Sequence, residues 1–129
     1  MIEVLIAIVL VALGVLAIIR MQTSMVRTNQ SALLRSHASL LVYDLVDRMR
    51  VDRQNAITGA YDRDFTDALP AGGTLPGDEL SEWLTRVDER LPQGEGAVTR
   101  NGDRVTVAVR WDDSRGEQAL QVFTTATQL

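Results

Sequence analysis

The feature that most constrains this fold is an uninterrupted apolar run near the start of the sequence. From Val4 to Ile19, sixteen residues carry no charge and no side-chain hydrogen-bonding group, and Glu3 and Arg20 flank them. As a helix this run spans roughly 24 Å, slightly less than the ~30 Å hydrocarbon core of a bilayer. Because Met1, Ile2 and the aliphatic stem of Arg20 can extend it, the sequence predicts a membrane-spanning segment over residues 1–20.

Two other interpretations of the run fit less well. A secretory signal peptide has a basic start and a small-residue cleavage site, whereas this run starts beside an acid and ends in Ile18-Ile19-Arg20. A buried helix of a globular protein would need apolar cover on all sides, and the rest of the chain is too small to supply it.

Glu3 is the unusual residue of this segment. A charge in a lipid-facing stretch costs several kcal/mol unless it finds a partner, and a plain anchor has no use for one. We therefore expect Glu3 to pair with a cation on another copy of a similar chain, which would make it an assembly residue.

Composition narrows the function of the rest of the 129-residue chain. There is no cysteine and only one histidine, so the chain has no ligand for a thiolate metal site and few residues for His-dependent catalysis. Residues 1–54 carry a net charge of +2 and residues 55–129 a net charge of −6, and an acidic domain disfavours nucleic-acid binding. We expect no enzyme activity, no catalytic residue, no cofactor and no metal ion.

The helix is predicted to continue beyond the membrane as an amphipathic half over residues 21–55. Spacings of three and four residues place one group of apolar side chains on a single stripe, and Asp44 and Arg48 form a stabilising i,i+4 pair. The stripe consists of Leu34, Ala38, Leu41, Val42, Leu45, Val46 and Met49. We expect it to pack on a small head formed by residues 56–129.

The head is predicted to be α+β. A Gly- and Pro-rich loop leads to a helix over about 78–90 with Asp78 as its N-cap. The apolar period then changes to two, which predicts strands over about 96–100, 104–112 and 120–125. Asn101-Gly102 marks a hairpin turn between the first two. The long helix would cover this small antiparallel sheet, and the shorter helix would help.

Polar residues of the head and the amphipathic helix offer weaker signals for a site. No other metal-ligating residues accompany His37, so we interpret it as an ordinary packed or solvated histidine. Asp62, Asp64 and Asp67 begin like a calcium loop, but the Gly and Glu that such a loop needs later are missing.

The remaining candidates favour structural roles. Asp112 and Asp113 read as a solvated turn rather than a catalytic pair. Trp83 and Trp111 lie on the apolar stripes of their own elements and read as core residues rather than a binding platform.

Several segments together resemble the type IV pilin family, and within it most closely the minor pilins called PilV. The first, at residues 2–7, is shared by all pilin-like proteins, and the later ones favour PilV. The segments are Ile2-Glu3-Val4-Leu5-Ile6-Ala7, Asn29-Gln30-Ser31, residues 40–50, Gly59-Ala60-Tyr61, Leu91-Pro92-Gln93-Gly94 and residues 107–112.

This resemblance implies a pilin fold and a role in filament assembly. Such a chain is first held in the inner membrane with its head in the periplasm. It is then incorporated into an extracellular pilus, in which its N-terminal helix joins the filament core. Glu3 would pair with the N-terminal amine of a neighbouring subunit. The implied partners are the major pilin, other minor pilins and a tip adhesin, and the implied role is to initiate assembly near the tip.

The resemblance leaves some points open. Pilin precursors carry a short basic leader before this motif, whereas the printed sequence begins inside it, so leader cleavage and amine methylation are placed on no residue here. A minor pseudopilin of a type II secretion system shares the same features. A membrane-tethered enzyme or binding module is the third alternative.

Overall fold

The computed structural model describes residues 1–129 and confirms the α+β prediction. A long N-terminal helix is followed by two shorter helices and a three-stranded antiparallel sheet. The elements are α1 (Ile2–Val51), α2 (Arg53–Thr58), α3 (Leu75–Arg90), β1 (Glu95–Asn101), β2 (Arg104–Trp111) and β3 (Gln121–Gln128).

The chain divides into two compact units, Met1–Leu33 and Leu34–Leu129. The 50 residues of α1 contribute to both units, so the prediction of one helix of about fifty residues is confirmed. This helix ends at Val51 rather than at the predicted residue 55, and the separate helix α2 follows it. Within the first unit, the hydroxyls of Thr23 and Thr28 donate to the carbonyls of Ile19 and Ser24, each at 3.0 Å. Such bonds to the preceding turn satisfy the hydroxyl groups, but they slightly weaken a helix and often bend it.

The core of the second unit forms where α1, α3 and the sheet meet. All seven residues of the predicted α1 stripe are buried, as are the alternating Val105, Val107, Val109 and Trp111 of β2. The stripe and the alternation therefore identified the apolar faces correctly, because helical and extended periods fix which side chains share a face.

Trp83 of α3 joins the three parts of this core. Its side chain is fully buried, and its indole N–H donates to the Leu41 carbonyl of α1 at 2.8 Å. Its ring lies against the backbone of Gly96 in β1, in the space that a side chain at Gly96 would occupy. The prediction that Trp83 and Trp111 are core residues is confirmed.

The start of α3 differs from the prediction. The helix begins at Leu75, and Thr74 is its N-cap, with its hydroxyl accepting from Gly77 N at 3.2 Å. Asp78, predicted as the cap, lies in the first turn, where its carboxylate accepts from Gly73 N at 3.0 Å. Pro76 explains the earlier start, because proline is favoured in the first turn of a helix.

The β1–β2 hairpin turn is shifted by one residue from the predicted position. Asn101 pairs with Arg104, so the two loop residues are Gly102 and Asp103 rather than Asn101 and Gly102. Gly102 has a φ of 63°, and glycine at the first loop position suits a two-residue hairpin. The hairpin itself is confirmed.

The turn after β2 also corrects one prediction. Asp112 was expected in a solvated turn, but it is only 6% exposed. Its carboxylate accepts from Ser114 N at 2.8 Å and from the Ser114 hydroxyl at 3.1 Å. Asp112 is therefore a structural residue that closes the turn, as Asp side chains commonly do.

Tyr61 fixes the junction between α1 and α2. Its side chain is fully buried, and its hydroxyl donates to Asp52 Oδ2 at 3.0 Å. Asn55 donates to both oxygens of the same carboxylate at 2.8 and 2.9 Å. Burial, together with the hydrogen bond to Asp52, raises the pKa of the Tyr61 hydroxyl above its ordinary value.

This raised pKa predicts a loss of stability at alkaline pH. Above pH about 10 the unfolded chain releases the Tyr61 proton while the folded chain keeps it, so stability falls by up to about 1.4 kcal/mol per pH unit. Below pH 10 the Tyr61→Phe variant should be less stable than the parent by about 1.5–3 kcal/mol, because it lacks a hydrogen bond to a charged acceptor. Urea unfolding at pH 8, 10 and 11 should show this difference shrinking as pH rises. A difference independent of pH would contradict the prediction.

Candidate assembly surface

The first unit presents an apolar surface on every side of its helix. An 18-residue window of α1 has a mean hydropathy of 3.1 and none of it is buried within the chain. Its large side chains, from Val4 to Ile19, are 49–66% exposed. Burial of one such side chain contributes about 1.5–3 kcal/mol, so this surface is stable only when lipid or other apolar helices cover it. The helix is long and apolar enough to cross a membrane.

Glu3 lies in the first turn of α1, and its side chain is exposed. The N-terminus of a helix carries a partial positive charge, which favours an acid at this position. None of the ion pairs within the chain includes Glu3. The carboxylate is thus available to a cation from outside the chain.

Gly14 has no side chain, so the helix of the first unit has a smaller diameter at this position. A side chain at this position would meet nothing within 4 Å. Glycine in a helix interior costs up to about 1 kcal/mol relative to alanine, and no packing within the first unit offsets that cost.

An ion-pair network holds α3 against α1 in the second unit. Arg48 lies 3.3 Å from Asp44, 3.4 Å from Glu79 and 3.6 Å from Glu82. Arg86 lies 3.1 Å from Asp44 and 3.3 Å from Glu82. The predicted Asp44–Arg48 pair is confirmed, and it is part of a larger cluster.

The carboxylates of this network change the pKa of Arg48. Burial by itself lowers the pKa of Arg48, but the carboxylates of Asp44, Glu79 and Glu82 outweigh it and raise that pKa above its ordinary value. Because the side chains remain partly exposed, such pairs contribute little to stability. They fix the relative position of the two helices more than they stabilise them.

A cavity of about 170 Å³ lies beside this network, between α1 and α3. His37, Asp44, Arg86 and Arg90 supply its polar groups, and Leu40 and Leu41 its apolar wall. His37 Nδ1 is buried without a hydrogen-bond partner. The residues that line the cavity include no Ser, Thr or Cys.

The three aspartates that began like a calcium loop make separate contacts. Asp62 lies 3.7 Å from Arg100, whereas Asp67 accepts from Asp64 N at 2.7 Å within a local turn. No group of three or more His, Asp or Glu side chains in the chain is arranged to hold a metal ion.

Two structural features were not predicted from the sequence: the cluster of Asp52, Asn55 and Tyr61, and the contacts of Arg63. Tyr61 stands alone in a polar stretch, where neither period marks it as buried. Arg63 forms an isolated bridge with Val98, a contact between distant residues that no local pattern signals.

No family model, no curated protein and no solved structure matches this chain.

Proposed function

We propose that this protein is a minor pilin of the PilV type, which enters a type IV pilus near its tip and helps to initiate assembly. The observation that carries the proposal is the combination at the N-terminus: a fully uncovered apolar helix that opens with an unpaired acid. A membrane anchor alone accounts for the apolar surface but not for Glu3.

Filament assembly accounts for both features. In a bundle of such helices the apolar side chains of one subunit cover those of the next, so the surface stays out of water after it leaves the bilayer. A buried acid and a buried ammonium each cost several kcal/mol alone, and pairing offsets most of that cost. Glu3 would pair with the N-terminal amine of a neighbouring subunit, and this pairing would set the axial position of each chain.

The second unit supports the same proposal. Its α+β architecture, in which the amphipathic part of α1 packs on a small antiparallel sheet, is consistent with a pilin fold. The head would face the periplasm before assembly and the outside of the cell afterwards, and it would contact other minor pilins and a tip adhesin.

A minor pseudopilin of a type II secretion system is the second candidate, because Glu3 and the apolar helix serve both systems equally. A tagged full-length chain should be recovered with the major pilin in the sheared surface fraction of piliated cells. Recovery instead with secretion pseudopilins would favour the second candidate. Confinement to the inner membrane in cells that assemble both filaments would contradict both.

A further inference from the structure

The two edges of the sheet are protected to different degrees. Beside β1, Arg63 and Val98 exchange two backbone hydrogen bonds of 2.9 and 3.0 Å, and Arg63 Nε donates to the Gly96 carbonyl at 3.0 Å. β3 pairs with β2 on one side only. The sheet therefore has one partly closed edge and one open edge.

The β3 strand itself lacks the features that usually prevent an edge strand from pairing with other proteins. Proteins protect such edges with charged side chains, proline, bulges or very short strands. β3 is eight residues long and keeps an unbroken register with β2 from Gln121 to Gln128. Residues 118–129 contain neither a charged residue nor a proline.

A row of cationic side chains from α1 runs along this strand. Arg35 donates to the Gln121 side chain at 3.2 Å, Arg50 to the Thr127 hydroxyl at 3.2 Å, and Arg53 to the Leu129 carbonyl at 3.1 Å. All three arginines are exposed. Asp47 pairs with Arg50 at 2.9 Å, which leaves positive charge in excess along the row.

We propose that the free edge of β3 binds an extended acidic segment of another protein, which adds to the sheet as a fourth strand. The backbone groups of β3 would supply the hydrogen bonds, as in other cases of strand addition. The three arginines would select for acidic side chains on the face of the added strand that lies over α1. This inference goes beyond the proposed function and does not depend on it.

The same charges disfavour a second copy of this chain as the occupant. Two β3 strands that pair antiparallel place the Arg35 end of one chain against the Arg50 and Arg53 end of the other. Like charges brought together across an interface cost free energy and suppress that pairing.

The test uses the full chain in detergent micelles and a capped nine-residue peptide in which Glu and Val alternate. This peptide should bind at least tenfold more tightly than one in which Lys and Val alternate, and it should slow amide hydrogen exchange within residues 121–128. The same Glu peptide with proline in place of each Val keeps its charge but loses backbone donors, and it should not bind.

A charge-reversed variant separates recognition from a merely structural effect. The double variant Arg35→Glu, Arg53→Glu should lose binding of the Glu peptide by tenfold or more and should gain binding of the Lys peptide. Arg27→Glu, Arg90→Glu makes the same charge change at two arginines that form no hydrogen bond with β3, and it should keep the original preference. Equal binding of the Glu and Lys peptides, binding of the proline peptide, or protection of β3 by self-association without any peptide would each overturn the proposal.

Discussion

The Glu3→Gln variant should remain in the inner membrane at the level of the parent, yet its recovery in sheared pili should fall by more than about tenfold. The substitution keeps the size and shape of the side chain, removes its charge and replaces one accepting oxygen with an NH2 donor. An N-terminal ammonium of a neighbouring subunit would then be buried without a counter-charge, and one unpaired buried charge is enough to shift an equilibrium by that factor.

A matched variant tests whether charge at this position is the cause. Glu89→Gln makes the same change on the exposed surface of α3 and should enter pili normally. Quantitative immunoblots of membrane and sheared fractions give the two levels for each variant. Normal incorporation of Glu3→Gln would falsify the role assigned to Glu3.

The Trp83→Ala variant should destabilise the second unit by about 3–5 kcal/mol, because it removes a large, fully buried side chain. That loss is a sizeable part of the roughly 5–15 kcal/mol by which a typical domain is stable. The variant also leaves the Leu41 carbonyl without the indole donor that reaches it at 2.8 Å.

Two further variants keep this prediction measurable if Trp83→Ala fails to fold. Trp83→Phe retains a ring but loses the donor, so it should cost about 1–3 kcal/mol. Gly96→Ala forces a methyl group against the Trp83 ring, and overpacking of this kind typically costs about 1–3 kcal/mol. Urea unfolding of the full chain in detergent, followed by the fluorescence of Trp111 and by circular dichroism, provides the measurement.

Tyr43→Ala serves as the surface control, because Tyr43 is 54% exposed, and it should change stability by no more than about 0.5 kcal/mol. If Trp83→Ala unfolds at the same urea concentration as Tyr43→Ala, Trp83 does not join the elements of the core as described.

Local periodicity predicted much of this fold. The α1 stripe and the alternating residues of β2 were identifiable because burial in these elements follows the period of the backbone. Element ends were less predictable. Thr74 and Asp78 are both good capping residues, and only the packing of Pro76 and Gly77 in the first turn of α3 decides between them.

The parts that could not be predicted depend on contacts between distant residues. Arg63 meets Val98, and Trp83 meets Leu41, but no sequence pattern links either pair. The prediction for Glu3 depends instead on its immediate apolar neighbours in the sequence, and its role in assembly stays a prediction. The surface of the head was the least predictable, because the arginine row beside β3 exists only after α1 and the sheet have packed.

The order of elements along the chain has a consequence for biosynthesis. The α1 stripe begins at Leu34, whereas Phe123, which packs against the same core, lies in the final strand. At roughly 5–20 residues per second, a ribosome needs on the order of 5–20 s to make the intervening chain. For that interval the sheet is incomplete, so the core around the stripe cannot close until β3 has been made.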